Sequence, residues 1–130
     1  MGKFSDVQDE IEAIFVTPSW IATELVIIPV NYDGYQPNEF IRLEILGNEQ
    51  RFYYGSFGIS GIVICTIFVP SGEGQTRLNE IADILDTFLQ GKTLSDGTQT
   101  GPSTLIALGK DEDNSALYKA EYRVGFNKYG

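Results

Sequence analysis

Two segments of the chain carry apolar residues at the spacing of a helix with one buried face. In the first, four apolar residues recur three and four positions apart and acidic residues lie away from them: Val7, Ile11, Ile14 and Phe15. Ser5 and Gln8 have the spacing of a capping box, which predicts a helix start there. Pro18 disfavours helical geometry at the residue before it, so the helix should end near Val16. An irregular turn is expected over residues 18–20.

The second helical segment covers residues 78–89. Its apolar residues form one stripe, and three acidic residues fall across from that stripe, on the predicted solvent face: Glu80, Asp83 and Asp86. Thr76 is the predicted N-cap, and Gly91 is well placed to end the helix. The polar residues 92–103, rich in glycine and threonine, are predicted to form a loop.

Strand patterns fill the region between the two helices. Residues 25–30 form a short apolar run, in which Pro29 indicates a sheet edge or a break. Apolar and polar residues alternate over 40–46, residues 47–48 predict a turn, and 51–54 offer a partner strand. These segments favour a sheet with mostly antiparallel pairing.

The longest apolar run covers residues 59–69 and predicts a central strand that is buried on both faces. Gly61 within it indicates either a bulge or a close approach of two backbones. Towards the C-terminus, residues 104–108 form a short predicted strand and 110–114 a charged turn. Residues 118–126 alternate between apolar and charged side chains, which predicts a half-buried final strand.

The order of these elements is helix, several strands, helix and two strands. This order predicts an α+β fold: a single domain over residues 1–130 with a mostly antiparallel β-sheet and two helices packed on one face. A chain of 130 residues is long enough for one core. Its hydrophobic share of 42% and charged share of 21% are those of a soluble globular protein.

The charge of the chain is strongly acidic. Nine basic residues against eighteen acidic residues give a net charge of -9, which argues against binding to nucleic acid or to an anionic membrane. The acidic residues either keep the protein soluble or line a passage through which DNA moves without binding. We find no signal peptide at the N-terminus and no apolar run of membrane-spanning length, so synthesis and folding in a cytoplasm are expected.

Candidate chemistry is sparse. The absence of histidine and the single cysteine exclude a histidine-based triad, an imidazole metal site and a thiolate zinc site. Cys65 lies in the apolar run and is expected to be a small buried hydrophobe. Residues 111–113 lack the alternating spacing of a calcium loop. Residues 72–74 precede a helix, but Glu73 would repel a phosphate and no Lys-Ser or Lys-Thr follows. We therefore predict no catalytic residue, no cofactor and no metal.

Aromatic residues are unusually dense over residues 52–57. Four of them are difficult to bury together in so small a domain: Phe52, Tyr53, Tyr54 and Phe57. Aromatic side chains at a surface favour a protein interface, so this group is a candidate subunit contact.

Several of these features together resemble a family of small phage tail proteins, similar to the bacteriophage tail-terminator or tail-completion proteins. The resemblance covers residues 25–94 and, more loosely, the final strand. It rests on structural glycines, a proline and apolar spacings: the strand that ends at Asn31, the loop with Pro37, the strand over 40–46, the block 58–69, Pro70 with Gly72 and Gly74, and the helix 78–88 with Ile81, Ala82 and Asp83.

The resemblance implies a structural virion protein of a long-tailed phage. Such a protein forms a ring, expected to be a hexamer, at the head-proximal end of the tail; it is assembled in the host cytoplasm. The ring caps the tail tube, ends its polymerisation and joins it to the head connector, and DNA passes through without specific binding. The partners implied are other copies of the chain, the tail tube protein and the connector or stopper proteins of the head.

Two acidic clusters are candidates for the surface that faces the DNA in such a ring: Glu80, Asp83 and Asp86 in the second helix, and Asp111, Glu112 and Asp113 in the charged turn. Two other functions stay open. One is another head–tail joint or tube-like ring protein, such as a stopper that closes the head. The other is a small-ligand-binding or carboxylate-dependent hydrolase domain, which would need a deep pocket with two convergent carboxylates.

Overall fold

The computed structural model describes residues 3–29, 39–51, 57–70, 72, 74–94, 97–110 and 117–129. Three helices, one 3₁₀ turn and five strands make up this part of the chain: α1 (Lys3–Ala13), the 3₁₀ turn (Ile14–Val16), α2 (Pro18–Ile21), β1 (Ile27–Pro29), β2 (Phe40–Arg51), β3 (Phe57–Pro70), α3 (Gly74–Leu89), β4 (Gln99–Lys110) and β5 (Leu117–Tyr129).

The strands form one sheet in the order β1-β2-β3-β5-β4. Strands β2, β3, β5 and β4 pair antiparallel with their neighbours, and only β1 pairs parallel, with β2. Helix α3 packs against β3, β5 and β4. The predicted α+β class and the central position of the apolar strand β3 are therefore confirmed.

The main core lies between this sheet and the helices. Alternate residues of β2, β3 and β5 belong to the same buried cluster as the apolar stripe of α3: Ile41, Leu43, Val63, Cys65, Ile67, Val69, Ala120, Tyr122, Val124 and Phe126. Trp20 connects the N-terminal helices to α3, because its ring makes edge contacts with Phe15 at 4.8 Å and with Phe88 at 5.1 Å. The N-terminal segment thus belongs to the same core as α3.

The opposite face of the sheet carries a much smaller buried cluster: Ile28, Phe40, Phe68 and Leu117. The rings of Phe40 and Phe68 stack at 4.5 Å, and the Arg42 guanidinium lies 5.0 Å from the Phe68 ring centre. In the described part of the chain, the helices contribute to the first cluster and not to this one. We call this side of the sheet the helix-free face.

Three helix boundaries differ from the sequence predictions. Helix α1 begins at Lys3, so Ser5 lies inside the helix, and the Gln8 side chain donates to Glu12 one turn later. The predicted turn at residues 18–20 is instead helix α2, which Thr17 caps by accepting from the Trp20 N–H at 3.2 Å. The proline opens this helix because an N–H is not needed in the first turn. Helix α3 begins at Gly74, two residues before the predicted cap at Thr76.

Two strands are longer than the sequence pattern indicated. Gly47 and Asn48 do not form a turn but continue β2, opposite Gly61 and Ser60 of β3. A Cβ atom at Gly61 would overlap the Leu46 carbonyl oxygen, so the glycine allows a close approach of two strands. Strand β4 begins at Gln99, inside the predicted loop. Gly91, with a φ of 63°, follows the end of α3 as predicted.

Candidate interaction site

A groove of about 710 Å³ lies between α1 with its 3₁₀ extension and the edge of the sheet formed by β1 and β2. Most of its lining is apolar: Phe15, Val16, Ile27, Leu43, Ile45 and Leu46. Gln8, Glu12 and Glu44 supply the polar groups. We call this the edge groove.

One of the lining side chains is strongly exposed: Val16 exposes 71% of its surface. Leu46 borders the groove and exposes 48%, but its side chain projects to the helix-free face because the neighbouring Ile45 packs against the main core. Ile21, on the neighbouring helix α2, exposes 62%. A concave surface with exposed aliphatic side chains on its walls offers contact area to a partner that removes them from water. The groove therefore has the character of a protein-binding surface.

The outer edge of β2 runs along the groove. Strand β1 covers only the first part of this edge, since its pairing with β2 spans Ile41 to Leu43 and the Ile41 N–H donates to the Val26 carbonyl at 2.8 Å. Peptide groups in a strand point alternately to its two sides, so those of Ile45 and Gly47 point to the same edge as that of Ile41. Among the described residues, no backbone group pairs with this edge beyond Leu43. Within the described ranges, this edge offers its N–H and C=O groups to a further strand.

The opposite end of the sheet has a second edge of this kind, on β4. The start of β4 is covered by the segment after α3, because the Thr100 N–H donates to Lys92 and the Gly91 N–H donates to Gly101. Further along, over residues 104–110, the described chain places no backbone partner on the outer side of β4. This stretch presents Ile106, 38% exposed, and Leu108, 42% exposed.

The two edges differ in charge. The groove contains Glu12 and Glu44, and Asp9 is exposed on the same helix. Strand β4 contains no acidic residue and ends in the exposed Lys110, and Lys92 is exposed in the segment beside its start. Three acidic residues follow Lys110 directly in the sequence, so this difference in charge is limited to the strand itself.

The predicted acidic face of α3 is only partly a solvent face. Glu80 is exposed and pairs with Arg77 at 3.3 Å, and Asp83 is exposed. Asp86 was wrongly assigned to the solvent side. Its carboxylate accepts from the Ser103 hydroxyl at 2.6 Å and from the Tyr122 hydroxyl at 2.5 Å, so it is directed at the sheet.

The Asp86 carboxylate joins α3 to both β4 and β5. Ser103 also donates through its hydroxyl to the Gln90 side chain at 2.7 Å, which adds a second contact between α3 and β4. Burial, followed by the neighbouring Asp86 carboxylate, raises the pKa of Tyr122 above its usual range. The hydroxyl therefore remains a hydrogen-bond donor at physiological pH, and the cluster holds secondary structure in place.

The remaining predicted site residues lie outside the described part of the chain. They are the second acidic cluster, Asp111, Glu112 and Asp113, and three members of the aromatic group, Phe52, Tyr53 and Tyr54. Phe57 is the first residue of β3, and its side chain is not described. Their assignments stay predictions.

Groups with chemical reactivity are few in the described residues. The Cys65 thiol is fully buried, and this burial raises its pKa to about 12, so it is neither a nucleophile nor a ready metal ligand. The described acidic and cysteine side chains form no cluster of three or more that could hold a metal ion. No helix in the described ranges combines the length and apolar character needed to cross a membrane.

The edge groove was not predicted from the sequence. Val16 and Leu46 are ordinary terminal residues of a helix and a strand in the linear pattern. Their exposure follows from the order of the strands, which leaves β2 next to the very short β1. The only sequence signal was Pro29, which indicated an edge or a break. The observed lengths of β1, three residues, and β2, twelve residues, did not follow from the predicted strands over 25–30 and 40–46.

Comparison with known proteins bears on the fold alone. No protein-family model and no curated protein matches the chain. One solved structure, of a protein that carries only a sequence identifier as its name, superposes with a TM-score of 0.63 at 18% sequence identity. The match covers 92% of this chain and 94% of the other. The same arrangement of strands and helices thus occurs elsewhere with little sequence in common.

Proposed function

We propose that the chain is a structural subunit of a long-tailed phage, a tail terminator whose copies form a ring at the head-proximal end of the tail tube. The observation that carries this proposal is the edge groove, an apolar concavity beside a strand edge that no described residue pairs with beyond Leu43. Such a surface suits the binding of another protein chain. The phage setting comes from the resemblance of residues 25–94 to small tail proteins.

The chemistry of the groove supports an assembly role over catalysis. Hydrolysis by paired carboxylates needs two acidic groups that converge on a substrate in a pocket closed to water. Glu12 is exposed, and its carboxylate accepts from Gln8 of the same helix at 3.1 Å. The exposed Val16 on the groove wall supplies area for a protein contact.

The placement of the two sheet edges supports a ring. The edge of β2 and the edge of β4 lie at opposite ends of the sheet and have different sequences. Contacts between two different surfaces of identical subunits are heterologous, and they close into rings when the rotation between subunits permits. A six-fold ring is the stoichiometry that the resemblance implies.

Deletion of the gene from a phage that encodes it tests the proposal. A terminator stops the addition of tube subunits, so we expect overlong tails by electron microscopy, and complementation by the wild-type gene should restore uniform length. Tails of normal length beside heads that have lost their DNA would show a stopper instead. Virions with no visible defect would show that the chain is not a structural component.

A further inference from the structure

We propose that the helix-free face of the sheet is a contact surface for a second copy of this chain. The two copies pack face to face around a two-fold axis that runs along β3. Such a contact is isologous, because each copy uses the same surface. This surface is distinct from the two sheet edges of the proposed ring, so the contact goes beyond the proposed function and does not depend on it.

The central strands of the sheet keep exposed surface on this face. The face carries alternate residues of β2, β3 and β5, since the residues between them belong to the main core. At its centre, Ile64 and Thr66 of β3 are only half-buried. Leu46 of β2 exposes 48% of its surface, and the Arg123 side chain of β5 exposes 41%. A partner can therefore reach the middle of the sheet as well as its margins.

Four charged side chains of this face form a rectangle with alternating signs. The strand register places Arg42 of β2 and Glu121 of β5 in one row, on either side of β3. Glu44 of β2 and Arg123 of β5 occupy the next row, in the opposite order of charge. Glu44 borders the edge groove, but its side chain projects to this face because its neighbours in β2 face the main core. The Glu121 carboxylate accepts from Arg123 at 2.9 Å, which holds both side chains in place.

This arrangement of charges is complementary to itself. A two-fold rotation about an axis along β3 turns one face onto the other and exchanges β2 with β5, while each row stays in place. Arg42 of one copy then lies over Glu121 of the partner subunit, and Glu44 lies over Arg123 of the partner subunit. Packed sheets lie about 10 Å apart with their strands aligned, a gap that arginine and glutamate side chains span. Lys119, the fifth charged residue described on this face of β2, β3 and β5, shares its row with an aromatic residue of β2 and so meets no like charge. Opposite charges in register select this orientation.

The shape of the face is also complementary to itself under this rotation. Leu46 and Gly125 lie in one row, on either side of Ile62. The rotation places the exposed Leu46 side chain over Gly125 of the partner subunit, where no side chain competes for the space. Ile62 and Ile64 lie on the axis and meet their own copies. The contact therefore has an apolar centre with charged residues beside it, as protein interfaces commonly do.

Charge reversal in two separate preparations tests the contact by analytical ultracentrifugation. One preparation carries Glu44→Arg and the other carries Arg123→Glu. Alone, each variant places like charges over each other twice in its dimer. We therefore expect dimerisation about tenfold weaker than that of the wild type, since each exposed ion pair that is lost accounts for about threefold.

Mixing the two preparations should restore the dimer. In the mixed dimer the two reversed residues lie over each other and the two native residues do the same, so both contacts again join opposite charges. Effects of each substitution within its own chain are the same alone and in the mixture. With a two-fold axis across the strands, residue 44 would lie over residue 42 instead and mixing would restore nothing. A mixture that associates no more tightly than either variant alone would therefore overturn the contact along β3.

The matched control makes the same charge change outside the face. Asp83 is exposed on α3, and Asp83→Arg makes the acidic chain less negative, as Glu44→Arg does. A smaller net charge by itself favours association, so Asp83→Arg should dimerise at least as well as the wild type. Equal weakening by the two variants would refute the proposed contact, as would a wild-type chain that stays monomeric up to millimolar concentration.

A second measurement tests the fit of Leu46 over the glycine. An added Cβ at Gly125 meets its nearest neighbour at 3.7 Å, so Gly125→Leu leaves room within its own chain but fills the space that Leu46 of the partner subunit needs. We expect Gly125→Leu to weaken the dimer and Leu46→Ala in the same chain to restore part of it. Unchanged dimerisation of Gly125→Leu would contradict the proposed packing.

Discussion

Cys65 is the residue whose environment makes the clearest prediction about pH. Burial raises its pKa from an ordinary value of 9.0 to about 12, so the folded chain keeps the thiol protonated at a pH where the unfolded chain ionises it. The buried, protonated thiol contributes fully to the stability of the fold below pH 9, and this contribution is lost as the pH rises towards 12. At pH 10 the loss should be on the order of 1 kcal/mol.

Urea unfolding at pH 8 and pH 10 measures this loss, with Cys65→Ala as the control. The variant lacks the titrating thiol, so its stability should fall less than that of the wild type by about that amount. The other titrating groups are present in both proteins. The same decline in both chains would contradict the prediction.

Gly61 provides a second prediction, this time of packing. An alanine there would place its methyl group against the Leu46 carbonyl oxygen and the Phe126 ring, so Gly61→Ala should lower the free energy of unfolding by about 2 kcal/mol or more. Gly125 lies on the adjacent strand, where an added Cβ would meet its nearest neighbour at an ordinary 3.7 Å. Gly125→Ala should therefore change stability much less. Chemical denaturation of both variants decides the point, and equal effects would refute the steric explanation.

The sequence predicted part of the role of Gly61 and missed the rest. An isolated glycine in an apolar run indicates either a bulge or a close approach, and the structure shows the second. The choice depends on the partner strand, where Gly47 stands opposite. Gly47 followed by Asn48 has the composition of a turn, and only the register of β2 against β3 shows that it continues the strand.

At the scale of one helix, the Asp86 contacts predict unequal roles for two acids of α3. Removing the charge of Asp86 weakens hydrogen bonds to Ser103 and Tyr122, so Asp86→Asn should cost about 1–2 kcal/mol of stability. Asp83 is exposed, and Asp83→Asn is the matched control with an expected change within about 0.5 kcal/mol. Thermal unfolding of the two variants compares them directly. A larger loss for Asp83→Asn would be inconsistent with these contacts.

The helical pattern explains why this difference was not predicted. At 100° per residue, Asp83 lies about 140° from the centre of the apolar stripe, whereas Asp86 lies only about 80° from it. A residue at the border of a stripe faces either the solvent or a neighbouring element, depending on what lies beside the helix. Here that element is β4, whose start at Gln99 fell within the predicted loop.

At the scale of the whole molecule, the fold class followed from local patterns but the interaction site did not. Alternation and helical spacing identify which segments form strands and helices, and these suffice for an α+β assignment. The edge groove depends instead on which strand lies at the end of the sheet and how much of it is covered. Those facts come from pairing between distant segments, as in β3 with β5, and no local pattern encodes them.

The exposed acids of α3 lead to the last prediction, which concerns the passage of DNA through a ring. If Asp83 faces the bore, Asp83→Lys replaces a repelling charge by one that holds phosphate, so assembled rings should retain DNA in a salt-dependent way. Glu24 is also exposed, and Glu24→Lys changes the net charge by the same amount at another place. Retention of DNA is measured at low and high salt on rings of both variants. The comparison shows whether DNA binding depends on where the new lysine lies or only on the net charge of the subunit. A lysine that lines the bore contacts the DNA inside the ring and should retain more of it than a lysine elsewhere on the surface. Equal retention by the two variants would therefore show that the acids of α3 do not line the bore.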